Sequence, residues 1–173
     1  MMLKGEEINK SDVILNVDSL TKKYFGFKTK TVLNNISFSI KQGNCLGIVG
    51  RNGSGKSTLL KIIAGLMPFN SGSLYLSGNV GYVPENSINY PSLSGRDNLN
   101  FYRELGGIVK TDKEILEKLE LKKDLNTAMK KYSKGMKRKI DILRAIESSP
   151  KLLIMDEPLD GCKRQSTFSK NAN

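Results

Sequence analysis

The chain has 173 residues, 38% of them apolar and 26% charged, with a formal net charge of +11. That composition excludes a disordered chain and supports one domain with its own core. No apolar stretch approaches the roughly 20 residues a bilayer span requires, and the N-terminus MMLKGEEINKSD lacks the apolar core of a signal peptide.

Residues 13–17 and 31–40 carry β-branched and alternating apolar residues, which predicts two strands with Ile36, Phe38 and Ile40 on one face. CLGIV, at 45–49, is a short continuous apolar run of the kind expected for a strand buried on both sides. A Gly-rich segment follows, then LLKIIAGLM with helical character. Two short strands are expected at 73–76 and 80–83.

From about residue 94 the pattern becomes helical. Thr111 and Glu114 have capping-box spacing ahead of Ile115, Leu116 and Leu119. A further helix is expected to begin near Ser133, with Met136, Ile140 and Leu143 on one stripe, and to end before Pro150. KLLIM, at 151–155, then reads as another buried strand. LSGRDNL, at 93–99, is expected to start a helix. The chain thus reads as a single unit over 1–173, an α/β core interrupted by a helical insertion at roughly 86–147.

Charge alone assigns no partner. A balance of +11 permits nucleic acid, anionic lipid or nucleotide. The Lys and Arg residues are spread along the chain, densest at 130–139, and the few aromatics, with no Trp, argue against nucleic acid. Cys45 and Cys162 lack metal-ligand or disulfide spacing, which suits a reducing compartment.

The chemistry is concentrated in two motifs. GRNGSGKS, at 50–57, matches G-x-x-x-x-G-K-[ST] between an expected strand and an expected helix. Gly50, Gly53 and Gly55 free the backbone to turn successive N–H groups toward an anion. The candidate nucleotide contacts are therefore Gly50, Asn52, Gly53, Ser54, Gly55, Lys56, Ser57 and Thr58. Lys56 has the reach for the β- and γ-phosphates, and Ser57 carries a hydroxyl suited to Mg2+. In LLIMDEP, Asp156 ends an apolar strand as a second Mg2+ candidate, and Glu157 is placed to orient or deprotonate an attacking water.

Two further stretches, GYVPEN at 81–86 and YSKGMKRK at 132–139, complete an ordered set with the two motifs. Together they resemble the ATPase subunits of ATP-binding cassette (ABC) transporters over roughly residues 12–161. The resemblance implies a P-loop NTPase core with a mixed, centrally parallel sheet, an antiparallel N-terminal β subdomain, and ATP and Mg2+ as ligands. It places Tyr24 at the aromatic position that stacks on adenine. Glu85 stands at the position of the family's usual Gln, which contacts Mg2+ or water and senses the membrane partner. Ser133 and Gly135 match the signature that caps the γ-phosphate of nucleotide held by the opposite subunit, with Lys134 and Met136 as departures from LSGGQ. The YSKGMK variant looks like that of drug-, peptide- or antibiotic-export ATPases. Two copies would sandwich two ATP molecules and drive a separate permease, from a cytoplasmic position at the inner face of the cell membrane.

After Asp-Glu-Pro the family continues with a Leu-Asp loop, where this chain has Cys162 and Lys163, and then with a helix and a strand carrying a histidine. The segment at 162–173 is polar and without helical periodicity, and the chain contains no His. The expectation is an incomplete nucleotide-binding domain, C-terminally truncated and impaired in hydrolysis. The alternative is a non-hydrolysing nucleotide-binding piece that regulates an intact subunit. A nucleic-acid-associated ATPase is a third possibility, distinguished by steep salt dependence.

Overall fold

The computed structural model describes residues 12–106 and 113–157, without the side chains of Lys113 and Glu114. Thr111 and the side chain of Glu114, the expected capping pair, and the segment at 158–173 lie outside the described residues. The chain divides into two compact units, one formed by residues up to 83 with 145–156, the other by residues 84–144 with 157 onward.

In the first unit, β1 (Val13–Tyr24) pairs antiparallel with both β2 (Lys30–Lys41) and β3 (Ser71–Leu76), giving the order β2-β1-β3. Alternation sets the burial: Leu15, Val17 and Leu20 of β1 are buried, and Ile36, Phe38 and Ile40 of β2 share a half-buried face as expected. Helix α1 (Lys56–Ile63) places Leu59, Ile62 and Ile63 on one side, at i, i+3 and i+4. Its end is closed by Gly65 at φ 72°, where the Leu66 N–H reaches the Lys61 carbonyl and the Gly65 N–H reaches that of Ile62. These apolar faces and Ile154 make one core.

A second, parallel sheet pairs β4 (Val80–Val83) with β5 (Leu152–Met155), from Val80 opposite Leu152 to Val83 opposite Met155. Gly81 lets the carbonyl of Ala145 come against the strand, where a Cβ would collide with it and with Pro150. The Asp156 N–H donates to the Val83 carbonyl at 2.9 Å, which holds the end of β5 in place.

Two expected strands differ. Cys45–Val49 forms no strand and pairs with no ladder among the described residues, and Leu46 and Val49 are exposed, Val49 at 97%. A strand buried on both faces needs neighbours at both edges, and β4 and β5 pair with each other. The second correction is β5, which is buried only at Ile154; Leu153 faces outward.

The second unit packs α2 (Gly95–Gly106), α3 (Lys113–Lys118) and the first turns of α4 (Lys134–Glu147) around Leu99, Leu121, Leu125, Met129, Ile140 and Leu143. Ser94 caps α2, accepting the Asp97 N–H at 3.1 Å, so LSGRDNL starts a helix as expected. Asn98 is fully buried and ties the preceding loop to that helix: its side chain accepts the Tyr90 N–H at 2.7 Å and donates to the Tyr90 and Ser94 carbonyls at 3.0 and 2.9 Å. No described helix is long and apolar enough to cross a membrane.

Candidate functional site

The Gly-rich loop leads directly into α1. Gly53 and Gly55 have φ of 79° and 100°, a region that L side chains adopt at a cost. A Cβ on Gly55 would also lie 2.9 Å from Val32 Cγ1 and 3.0 Å from the Val32 carbonyl oxygen, so the loop rests directly on β2. Ser54 N–H donates back to Arg51 O at 3.1 Å, closing the loop's turn. Lys56 Nζ donates to the carbonyls of Gly50 and Arg51, at 2.9 and 3.2 Å, which holds the ammonium over the loop. Asn52 is exposed, and Ser57 and Thr58 lie half-buried in the first turn of α1.

The two motifs meet. Ser57 Oγ donates to Asp156 Oδ1 at 3.1 Å, across 99 residues of sequence. Asp156 is only 3% exposed, so its carboxylate is held at the end of β5 beside the start of α1. This pairs a hydroxyl and a carboxylate oxygen, hard donors of the sort Mg2+ prefers, next to a helix N-terminus that favours anions. Among the described residues no cluster of three or more Asp, Glu, His or Cys side chains could hold a metal ion. A cation here would depend on phosphate and water oxygens for its remaining ligands. Tyr24 closes β1 in the same unit. Its ring is 41% exposed, its hydroxyl meets Met67 Sδ at 3.1 Å, and the Lys22 ammonium lies 5.2 Å from the ring centre.

The remaining candidates belong to the second unit. Ser133 caps α4: its Oγ accepts the Met136 N–H at 3.2 Å and its carbonyl accepts the Lys137 N–H at 3.0 Å. The hydroxyl proton remains available to donate. Gly135 sits half-buried in the following turn. Glu85 lines a cavity of about 300 Å³ with Lys134, Lys137, Arg138 and Asp141. Glu157 is exposed and has φ 50°.

Sequence reasoning missed the residues that organise this second group. Arg138, 6% exposed, donates to the carbonyl of Pro84 and, at 3.2 Å, to that of Glu157. One guanidinium therefore positions the backbone beside both Glu85 and Glu157. Asp141 is fully buried, accepts from Asn89 Nδ2 at 2.9 Å and pairs with Arg144 Nη2 at 3.4 Å. Burial pushes its carboxyl pKa up, against the lowering influence of Arg144, Ser87, Asn89 and Arg138. The available signal was an acid inside the apolar string of KIDIL with Arg144 three residues on.

Comparison with known proteins agrees with this geometry. The family profile described as ABC transporter matches residues 33–160. The linearmycin resistance ATP-binding protein LnrL of Bacillus subtilis is 37% identical over 162 residues, covering 84% of this chain and 51% of that protein. The lantibiotic transport ATP-binding protein SrtF of Streptococcus pyogenes is 34% identical over 158 residues, covering 86% of this chain and 68% of its own length. A solved structure of an ATP-binding subunit of an ABC transporter superposes with a TM-score of 0.76 at 28% identity, over 86% of this chain and 68% of that one. The chain spans about half the length of the first curated relatives it matches.

Proposed function

The chain belongs to the ABC transporter family of ATP-binding proteins, and on that premise we propose that it binds ATP with Mg2+ and supplies energy to a separate membrane-spanning permease. The observation that carries the proposal is the 3.1 Å contact between Ser57 Oγ and Asp156 Oδ1, which joins the phosphate loop to the acidic strand end. Relatives named for linearmycin resistance and lantibiotic transport support an export role, with a drug, peptide or antibiotic as cargo.

In this proposal the N–H groups of residues 50–58 and the N-terminus of α1 cradle the phosphates, while Tyr24 offers its exposed ring face to adenine. Lys56 exchanges its two carbonyl partners for phosphate oxygens. Ser57 and Asp156 would hold Mg2+, which would offset phosphate charge when bound. By the family resemblance, Glu157 would accept the proton of the attacking water and Glu85 would have the role of contacting the cation or its water. Ser133 and Gly135 cap the γ-phosphate of nucleotide held by a second copy, through the free hydroxyl proton and the start of α4.

Titration of the full chain with a fluorescent ATP analogue and Mg2+ tests this. Lys56→Ala and Asp156→Asn are expected to weaken binding on the order of tenfold or more, as loss of a charge-assisted contact does. Undiminished affinity in both variants would refute the site. Phosphate release in the same samples separates an ATPase, silenced by Glu157→Gln, from a chain that binds ATP without turnover and acts by pairing with an intact subunit.

A further inference from the structure

The turn between β1 and β2 projects two phenylalanines into solvent. Phe25 is 76% exposed and Phe27 fully so, in the sequence YFGFKTK. Beside the end of β1 runs the segment 66–69, tied to it by Lys22 Nζ donating to the Pro68 carbonyl at 2.7 Å and by the contact of Tyr24 with Met67. That segment adds Leu66 and Phe69, both exposed. Large apolar side chains from two separate parts of the sequence are thus left in water in one region. Scattered single exposed apolar residues need no explanation, but a grouped set does.

The charge around them has one sign. Lys23, Lys28 and Lys30 are exposed on the same hairpin, and from Ser19 to Pro84 the chain contains no Asp or Glu. Apolar tips rimmed by lysines, on a stretch of chain that carries no acid, have the chemistry of a surface that meets anionic lipid. The aromatic rings enter the interface and the ammonium groups pair with headgroup phosphates. An acidic protein partner would match the charge, yet it would need its own apolar pockets for the exposed Phe25 and Phe27 rings, which a lipid interface supplies without one.

We propose that the β1–β2 hairpin tip, with Phe25 and Phe27 as inserting side chains and Lys23, Lys28 and Lys30 as the charged rim, docks this protein on an anionic lipid surface. Nothing in this depends on nucleotide binding, so either proposal can fail alone. Each lysine near such a surface raises binding about fivefold, so three give on the order of a hundredfold preference for anionic over zwitterionic vesicles.

The chain has no Trp, so Phe27→Trp in the full-length protein is a single reporter at the tip. With nucleotide omitted, its emission is expected to shift to the blue with vesicles containing about 30% phosphatidylglycerol, but not with phosphatidylcholine alone. The shift should fade as salt rises toward roughly 0.5 M, where surface charges are screened. In co-sedimentation, the double variant Phe25→Ala/Phe27→Ala is expected to bind anionic vesicles on the order of tenfold less than the parent, and Phe25→Leu/Phe27→Leu to retain most binding. Two outcomes overturn the proposal: unchanged emission with both vesicles, or full vesicle binding by the double alanine variant. The last would assign any lipid attraction to the overall charge of +11.

Discussion

Two glycines of the Gly-rich loop separate the cost of a backbone conformation from the cost of a collision. Gly53 and Gly55 both have positive φ, at 79° and 100°. A methyl group at Gly53 meets nothing within 4 Å, whereas at Gly55 it falls 2.9 Å from Val32 Cγ1, 3.0 Å from the Val32 carbonyl oxygen and 3.1 Å from Leu33 Cδ2. The carbonyl cannot withdraw easily, because its strand is laddered to β1 with Leu33 opposite Lys22. Left-handed backbone costs an Ala about 1–2 kcal/mol in either place. Loss of glycine's freedom in the unfolded chain returns about 0.4–1 kcal/mol to both variants. Gly53→Ala should therefore cost about 1 kcal/mol. Gly55→Ala adds an overpacking penalty of about 1–3 kcal/mol against β2. With a urea dependence of roughly 2 kcal/mol per molar, the Gly55→Ala midpoint should lie on the order of 1 M below that of Gly53→Ala. Urea unfolding followed by circular dichroism measures both. Equal midpoints, or a lower one for Gly53→Ala, would refute the view that the loop is seated on β2. Gly53→Asn provides an internal check, since Asn tolerates this region and should lose less than Ala.

Three other perturbations test the second unit. Asn98→Ala removes a fully buried amide and should cost about 1–3 kcal/mol by urea unfolding, because the Tyr90 N–H loses its acceptor while the Tyr90 and Ser94 carbonyls keep the Leu93 and Asn98 backbone N–H groups; a loss below about 0.5 kcal/mol would contradict that role. Asp141 has its folded pKa raised by burial, so the folded state holds the proton more tightly and the parent loses stability as pH rises from about 4 through the raised value. Asp141→Asn cannot titrate, and its stability relative to the parent should improve over that window; a pH-independent difference between the two would exclude the mechanism. Tyr132→Phe deletes the 2.6 Å bond from a buried hydroxyl to the Asp124 carbonyl and should cost about 1–2 kcal/mol near neutrality. Because burial, with the nearby Asp124, also raises the Tyr132 pKa, the parent should lose stability relative to this variant above pH ~10, and a difference unchanged between pH 8 and 11 would count against it.

What was legible in the sequence was what neighbours in the chain decide. The alternation at 36–40 and the helix start near Ser133 each involve a few consecutive residues, and both elements formed where their pattern placed them; LLKIIAGLM, at 59–67, is helical only as far as Ile63, with Gly65 at positive φ beyond it. The turn of the Gly-rich loop was legible for the same reason: its glycines and Lys56 act on the backbone within eight residues. Pairing across the chain was not. An apolar run such as Cys45–Val49 states a preference for burial but names no partner, and burial of a strand depends on ladders contributed from elsewhere.

The buried charges show the same limit more sharply. Arg138 and Asp141 stand in KRKID, where the lysines and arginine suggest a solvated helix face. Yet Arg138 is spent on two backbone carbonyls and Asp141 on Asn89 and Arg144. An ion held out of water keeps its charge only if hydrogen-bond partners replace the lost hydration. Apart from Arg144, three residues on in α4, those partners come from residues 84–89 and 157, outside the helix. The helix stripe therefore predicts that Ile140 and Leu143 are inside, but it cannot predict that an acid one residue away is inside too. The consequence is chemical: the guanidinium that donates to the Pro84 and Glu157 carbonyls sets the backbone flanking two of the second-unit candidates, Glu85 and Glu157. A change at Arg138 should then disturb two proposed contacts at once, although Arg138 belongs to neither motif.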